Sequence, residues 1–214
     1  MTNIVYYTDK LTEELYAILD DLLFFATDQY QEFIYNQIEA MIGQLDILEE
    51  YRDGLFQSFI WMAIFCIRDT DGLTIYQHYL RKNRQRWENK SVKLREVLYS
   101  WLKMNPSFYH VTKAGSRSGR VFIFQDVICN QSSVVYYPNL KSPVPKNGDL
   151  ISGLLIPFGN DFYITISRLL QVKAGARKET ERYVRNFSVQ SSKWKLELQD
   201  YMTLMKQTYK MPVE

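Results

Sequence analysis

Cysteine and histidine are scarce, with two of each in 214 residues. A zinc site needs three or four His, Cys or carboxylate ligands, usually with two presented by one short stretch of backbone. Neither His78 nor His110 stands at such a spacing from Cys66 or Cys129, so no metal and no cofactor is expected. Two cysteines make no disulfide scaffold and suit a reducing cytosol. The first ten residues lack the basic stretch and apolar core of a signal peptide. The longest apolar run, from Gly54 to Ile67, covers 14 residues, too few to span a bilayer. A cytoplasmic protein without a membrane partner is the expectation.

Reactive groupings are scarce as well. His110 with Asp126 or Cys129 could assemble a catalytic triad in space, and no nucleophile-elbow pattern accompanies it. Flanked by Tyr109 and Val111, His110 reads as a strand histidine. Gly115-Ser-Arg-Ser-Gly119 has the glycines of a phosphate loop but leads into a strand, where such a loop needs a following helix. Asp126, Asp149 and Asp161 each sit beside a predicted turn or strand end, where Asp commonly bonds backbone. No catalytic residue is assigned, and an enzyme is the least favoured class.

Apolar residues are plentiful: 46% of the chain is hydrophobic and 15% aromatic, enough for a packed core. Spacings of three and four predict helices over residues 11–25, 28–51 and 55–67, the last apolar nearly all round. After Asp69-Thr-Asp-Gly72 a helix returns over 73–87, and another follows Ser91, a suitable cap, until Pro106 stops it. Five short strands follow, over 108–113, 120–128, 133–137, 149–156 and 161–167. In the second of these Phe122 and Phe124 share one face and Val121 and Ile123 the other. Turns are expected at 115–119 and 159–161, and a loop at the proline-rich 138–145. A joint at Ala174-Gly175-Ala176 leads to a charged helix over 177–185, an interruption over 186–192 and a final helix. The fold class is α+β: a helical region over 1–105, a small β-module over 106–172, strongly bent and antiparallel or partly open as a barrel, and a C-terminal helical region over 173–214 packing back.

Trp101 to Val111, Phe124-Gln-Asp126-Val and Gly148-Asp-Leu-Ile-Ser-Gly-Leu-Leu-Ile-Pro157 with Tyr163 resemble the β-module of uncharacterised bacterial proteins that often carry a SEC-C zinc tail. Trp61 to Phe65, Thr74 and Tyr79-Leu80 resemble the helical segment before that module, so the likeness spans residues 55–172. No cysteine follows Cys129, so the zinc-dependent partner binding of the tail does not carry over. The resemblance implies an architecture and no activity.

A net charge of +2 conceals a division. Residues 1–72 hold three Lys or Arg against fourteen Asp or Glu, whereas residues 73–172 hold fourteen against five. Seven cations, Arg81, Lys82, Arg84, Arg86, Lys90, Lys93 and Arg95, share one short stretch with the single carboxylate Glu88. With Arg117 and Arg120 of the β-module they are the candidate contacts to phosphate or to an acidic partner. Such a run would meet nucleic acid, a protein, or the acidic helices of its own molecule. For single-stranded nucleic acid, Trp87, Tyr109, Phe122 and Tyr137 would supply stacking surfaces. On the last helix Trp194, Leu198, Tyr201, Met205 and Tyr209 recur as one apolar stripe, a candidate for self-association if it does not pack inward. Glu13, Asp20, Asp21, Asp28, Glu32 and Glu39 would form an acidic row, suited to a small phage-type inhibitor filling a basic cleft. The leading expectation is a non-enzymatic cytoplasmic binding or regulatory protein, its partner a protein or a second copy of the chain. Nucleic-acid binding is the alternative.

Overall fold

A computed structural model describes residues 3–45, 52–113, 120–138, 144–159 and 162–210. Helix α1 (Asn3–Leu45) covers the first predicted helix and the second as far as Leu45, the rest of which, 46–51, lies outside the described residues. Nothing between them is Gly or Pro, so the helix bends instead of ending. The bend lies at Tyr30 (φ −129°, ψ 19°), just after Thr27, whose hydroxyl donates to the carbonyls of Leu23 and Phe24 at 2.9 and 3.1 Å. Such back-bonding loosens a helix. Helix α2 (Arg52–Cys66) buries nearly its whole circumference, including Leu55, Phe59, Met62 and Ile64.

Three short helices follow. α3 (Ile75–Lys82) starts at a capping box: Thr74 Oγ1 accepts the Gln77 N–H at 3.2 Å and the Gln77 side chain accepts the Thr74 N–H at 2.8 Å. Such a cap contributes about 1 kcal/mol. Asn83 (φ −101°, ψ 19°) leaves helical geometry and divides the expected 73–87 helix, so α4 (Arg84–Glu88) points its side chains anew. α5 (Val92–Ser100) is capped by Ser91, whose hydroxyl accepts the Leu94 N–H at 3.2 Å. A 3₁₀ turn (Trp101–Lys103) ends the helical run before Pro106.

The sheet has seven strands among the described residues: β1 (Ser107–Lys113), β2 (Val121–Asp126), β3 (Ser132–Tyr136), β4 (Leu150–Gly153), β5 (Ile156–Gly159), β6 (Phe162–Ile164) and β7 (Leu170–Gln171). Their order is β5-β6-β3-β2-β1-β4-β7. The pairing is antiparallel except between β3 and β6, which run parallel, so the sheet is mixed where an antiparallel one was expected. The segment expected as one strand over 149–156 is two, β4 and β5, five places apart in the sheet. Only Leu154 and Leu155 join them, so their facing ends lie within about 11 Å, whereas five flat interstrand steps would cover about 24 Å. The sheet must curl round on itself. Gly153 turns this corner at φ +148°, and a Cβ there would come within 2.7 Å of Leu169 Cδ2.

Curling gives the sheet two cores. Tyr109, Phe122, Phe124, Val135, Ile151 and Leu155 fill the inside of the curl. On the other face Phe108, Leu150, Ile156 and Ile164 join the helical core with α1, α2 and α5. Trp101 binds the two layers: it is fully buried, and its indole N–H donates to the Pro157 carbonyl at 2.8 Å.

After a second 3₁₀ turn (Ala174–Ala176), α6 (Arg177–Ser191) runs unbroken through the expected interruption at Asn186 and stops at Ser192, in left-handed conformation at φ +55°. α7 (Leu198–Lys210) begins later than expected and leaves Trp194 outside it. Tyr201 on α7 is buried against Phe108, ring centroids 5.6 Å apart, and its hydroxyl lies 3.1 Å from Ser152 Oγ. Arg177, at the start of α6, is fastened to β4 through Asp149, which is buried. Arg177 Nη2 donates to Asp149 Oδ1 at 2.6 Å, while the Lys146 N–H and Gln171 Nε2 each donate to Oδ2 at 2.7 Å. Among the described residues no helix is long and apolar enough to cross a membrane.

Candidate functional site

The basic run divides into two sets. Arg86 and Lys90, four residues apart, turn toward α1: Arg86 Nη1 lies 2.5 Å from Asp21 Oδ2, and Lys90 pairs with Glu14. Tyr79, buried in α3, donates its hydroxyl to the same Asp21 oxygen at 2.7 Å. That hydrogen bond holds the Asp21 carboxyl below its ordinary range, partial burial opposing it and the Arg86 guanidinium adding to it. Burial and the neighbouring carboxylate push the Tyr79 phenol up. Lys82 sits over the Phe25 ring of α1, 5.2 Å from its centroid. Part of the charge division read from the sequence is therefore resolved inside the molecule.

Arg81, Arg84 and Arg95 take the other side. They border a cleft of about 330 Å³ floored by Leu80, Trp87 and Leu98, with Tyr99 standing at its mouth. Among the described residues Glu88 is the one carboxylate lining it, and Arg84 Nε already holds Glu88 at 2.8 Å. Trp87 is 7% exposed, packs on Tyr79 with centroids 5.6 Å apart, and carries the Arg86 guanidinium 4.8 Å from its ring centroid. Its indole N–H is buried without an acceptor. Beside the cleft, α5 shows solvent Val92 and Tyr99, 62% and 63% exposed, with Leu102 one turn further on. Cationic rim, apolar floor and apolar shoulder meet on one face.

The remaining candidates lie elsewhere. Arg120 donates from Nη1 to the Tyr137 carbonyl at 3.2 Å; Arg117 and the expected turn around it lie outside the described residues, as do Asp161 and residues 139–143 of the proline-rich loop. Lys93 is exposed on α5 and has an interaction of its own. Tyr109, Phe122 and Tyr137 are buried and offer no face to a base. Of the C-terminal stripe, Tyr201 and Met205 are buried within this chain and Leu198 and Tyr209 half-buried against the same core, so the stripe packs inward. Trp194 is 68% exposed and faces Lys195 Nζ, 4.6 Å from its ring centroid. In the acidic row Asp21 and Glu39 are engaged, Glu39 by Arg52, while Glu13, Asp20, Asp28 and Glu32 stay exposed.

The triad material is not assembled. His110 Nε2 lies 3.2 Å from Glu181 of α6, and Asp126 Oδ1 accepts the N–H groups of Ile128 and Cys129 at 2.7 and 3.0 Å, locking a turn. Burial pushes the Cys66 thiol up to about 12 and raises that of Cys129, which suits neither to nucleophilic work at neutral pH. One grouping escaped the sequence reading. Asp69, Asp71 and His78 place ligand-type atoms within 4.8 Å of one another. Both Asp69 oxygens are already taken, Oδ2 by His78 Nε2 at 2.7 Å and Oδ1 by the N–H groups of Asp71 and Leu73 at 2.9 and 3.2 Å. The trio closes the 69–72 turn onto α3; its signal was an Asp-rich turn nine residues before a helical histidine. No family model matches the chain, and no curated protein and no solved structure matches it.

Proposed function

We propose that this is a non-enzymatic binding protein whose α3–α5 cleft holds an acidic segment of a partner protein, with an apolar or aromatic side chain of that segment seated over Trp87 and Leu98. One observation carries the reading: Arg81, Arg84 and Arg95 border an apolar floor whose one carboxylate among the described residues, Glu88, is already paired with Arg84. Guanidinium groups bind carboxylates through two parallel hydrogen bonds, and an apolar pocket beside them favours a peptide carrying both acid and hydrophobe. Nucleic acid fits less well. A phosphate track uses a continuous row of free cations, and here Arg86 and Lys90 are engaged by α1 while three of the four aromatics that would stack on bases lie in the sheet core.

Fluorescence anisotropy with a labelled peptide alternating Glu with Phe and Trp, run beside labelled single- and double-stranded oligonucleotides, tests this. The peptide should bind, and Arg81→Glu with Arg95→Glu should weaken it at least tenfold, as expected from losing charge-assisted hydrogen bonds of about 1.5–3 kcal/mol each. Tight oligonucleotide binding with a steep salt dependence, and none to the peptide, would overturn the proposal.

A further inference from the structure

A second cavity, of about 580 Å³, lies where the β4–β7 edge meets α2, α6 and α7. Small-ligand sites commonly fall within about 300–1,000 Å³. The space exists because small residues stand where large ones would fill it: Gly54, Ala174 and Ala176 line it, and a Cβ built on Gly54 would meet nothing within 4 Å. Leu55, Leu169, Val172 and Met205 supply an apolar wall.

The polar part of the lining is one-sided. Arg168, Lys173 and Arg177 contribute to it, and among the described residues no Asp or Glu does. Arg177 is partly neutralised from behind by Asp149, with Nη1 also donating to the Gly148 carbonyl at 3.1 Å, but its Nε–H is buried with no acceptor among the described residues. Arg168 and Lys173 are exposed and free of any carboxylate partner among the described ion pairs. The backbone at Arg168 is held in place, since Ser58 Oγ donates to its carbonyl at 2.6 Å. α6 starts at this wall, and its cap residue Ala176 has no side chain to cap it, so the positive end of the helix dipole adds to the same field.

We infer that this junction cavity binds a small organic anion with an apolar body, the carboxylate or phosphate head at Arg168 and Lys173 and the acyl or aromatic part against Leu55, Leu169 and Met205. Apolar volume sets affinity and the uncompensated cations select for negative charge.

Titration calorimetry of the full chain with decanoate, 1-decanol and inorganic phosphate as probes tests it. Decanoate should bind saturably, decanol at least tenfold more weakly, and phosphate alone not measurably. Arg168→Glu with Lys173→Glu, both at exposed positions, should abolish the preference for decanoate over decanol. Gly54→Leu should fill the cavity and block both, while raising the melting temperature of the ligand-free protein because a helical glycine is replaced. Arg81→Glu with Arg95→Glu should leave decanoate binding unchanged, so failure at the cleft and failure here are separable. Absence of decanoate binding, equal binding of acid and alcohol, or binding indifferent to the Gly54 and Arg168/Lys173 variants would overturn the inference.

Discussion

Replacing Asp21 by alanine should cost more than its half-exposed position suggests. Its carboxylate is 42% exposed, and an ion pair at such a site is worth about 0.2–1 kcal/mol. The larger loss falls on Tyr79, which is 1% exposed and has Asp21 as its acceptor at 2.7 Å. Leaving a buried hydroxyl without an acceptor costs about 1–3 kcal/mol, so Asp21→Ala should destabilise by about 2–3 kcal/mol. Tyr79→Phe removes donor and need together and should cost about 1–2 kcal/mol. Arg86→Ala, losing the pair and its stacking on Trp87, should cost about 1 kcal/mol. The double variant Asp21→Ala/Tyr79→Phe has no stranded hydroxyl, so it should cost less than the two singles together by about 1–2 kcal/mol. Urea unfolding followed by circular dichroism gives all four values by linear extrapolation. Additive costs for Asp21 and Tyr79, or an Asp21→Ala cost below about 0.5 kcal/mol, would refute the view that this carboxylate anchors α3 to α1.

Asp149→Ala should strip Arg177, Gln171 and the Lys146 N–H of a buried acceptor; breaking such a pair costs about 3–5 kcal/mol, and calorimetry should show a melting temperature lower by about 6–20 °C at this chain length. Gly153→Ala should cost about 1–3 kcal/mol through its positive φ, measured by the same urea curves, and Leu169→Ala in the same chain should relieve only the side-chain contact. Asp21, Asp69 and Glu181 all have carboxyls held below their ordinary values. For Asp69 and Glu181 burial works the other way and is outweighed, in the first by the Leu73 N–H and His78, in the second by Arg185 and His110. With folded values below unfolded ones, their stabilisation is full above about pH 4–5 and fades as pH falls through the folded values; the urea midpoint should drop between pH 5 and pH 3, less steeply in Asp69→Asn, and a flat profile would contradict this.

Local signals in the chain were legible and long-range ones were not. Ser91 and Pro106 mark helix ends through their own chemistry, and the alternation of Phe122 and Phe124 with Ile123 shows which face of β2 is buried. The break between β4 and β5 carries one local mark, Gly153, but Leu150, Ile151, Leu154, Leu155 and Ile156 are apolar on both faces and a period of two cannot be read from them. The kink at Tyr30 came from Thr27 back-bonding, which apolar spacing does not reveal, and the unbroken α6 went against a weak local preference that packing overrides. For the candidate site, the density of positive charge over 81–95 was plain from the residues. Its division, Arg86 and Lys90 inward to α1 and Arg81, Arg84 and Arg95 outward to the cleft, depends on the turn at Asn83 and on a helix sixty residues earlier. The junction cavity draws its wall from four segments far apart in the chain, and no local pattern announces it.

The central claim is that the basic run serves two ends, one half bracing α1 and the other open to an acidic partner. Peptide anisotropy and urea stability, measured on Arg81→Glu/Arg95→Glu and on Arg86→Ala/Lys90→Ala, test it directly. The account predicts that the first pair loses peptide binding with little change in stability, and that the second pair loses stability and still binds. The reverse pattern, or equal loss of binding in both, would contradict it.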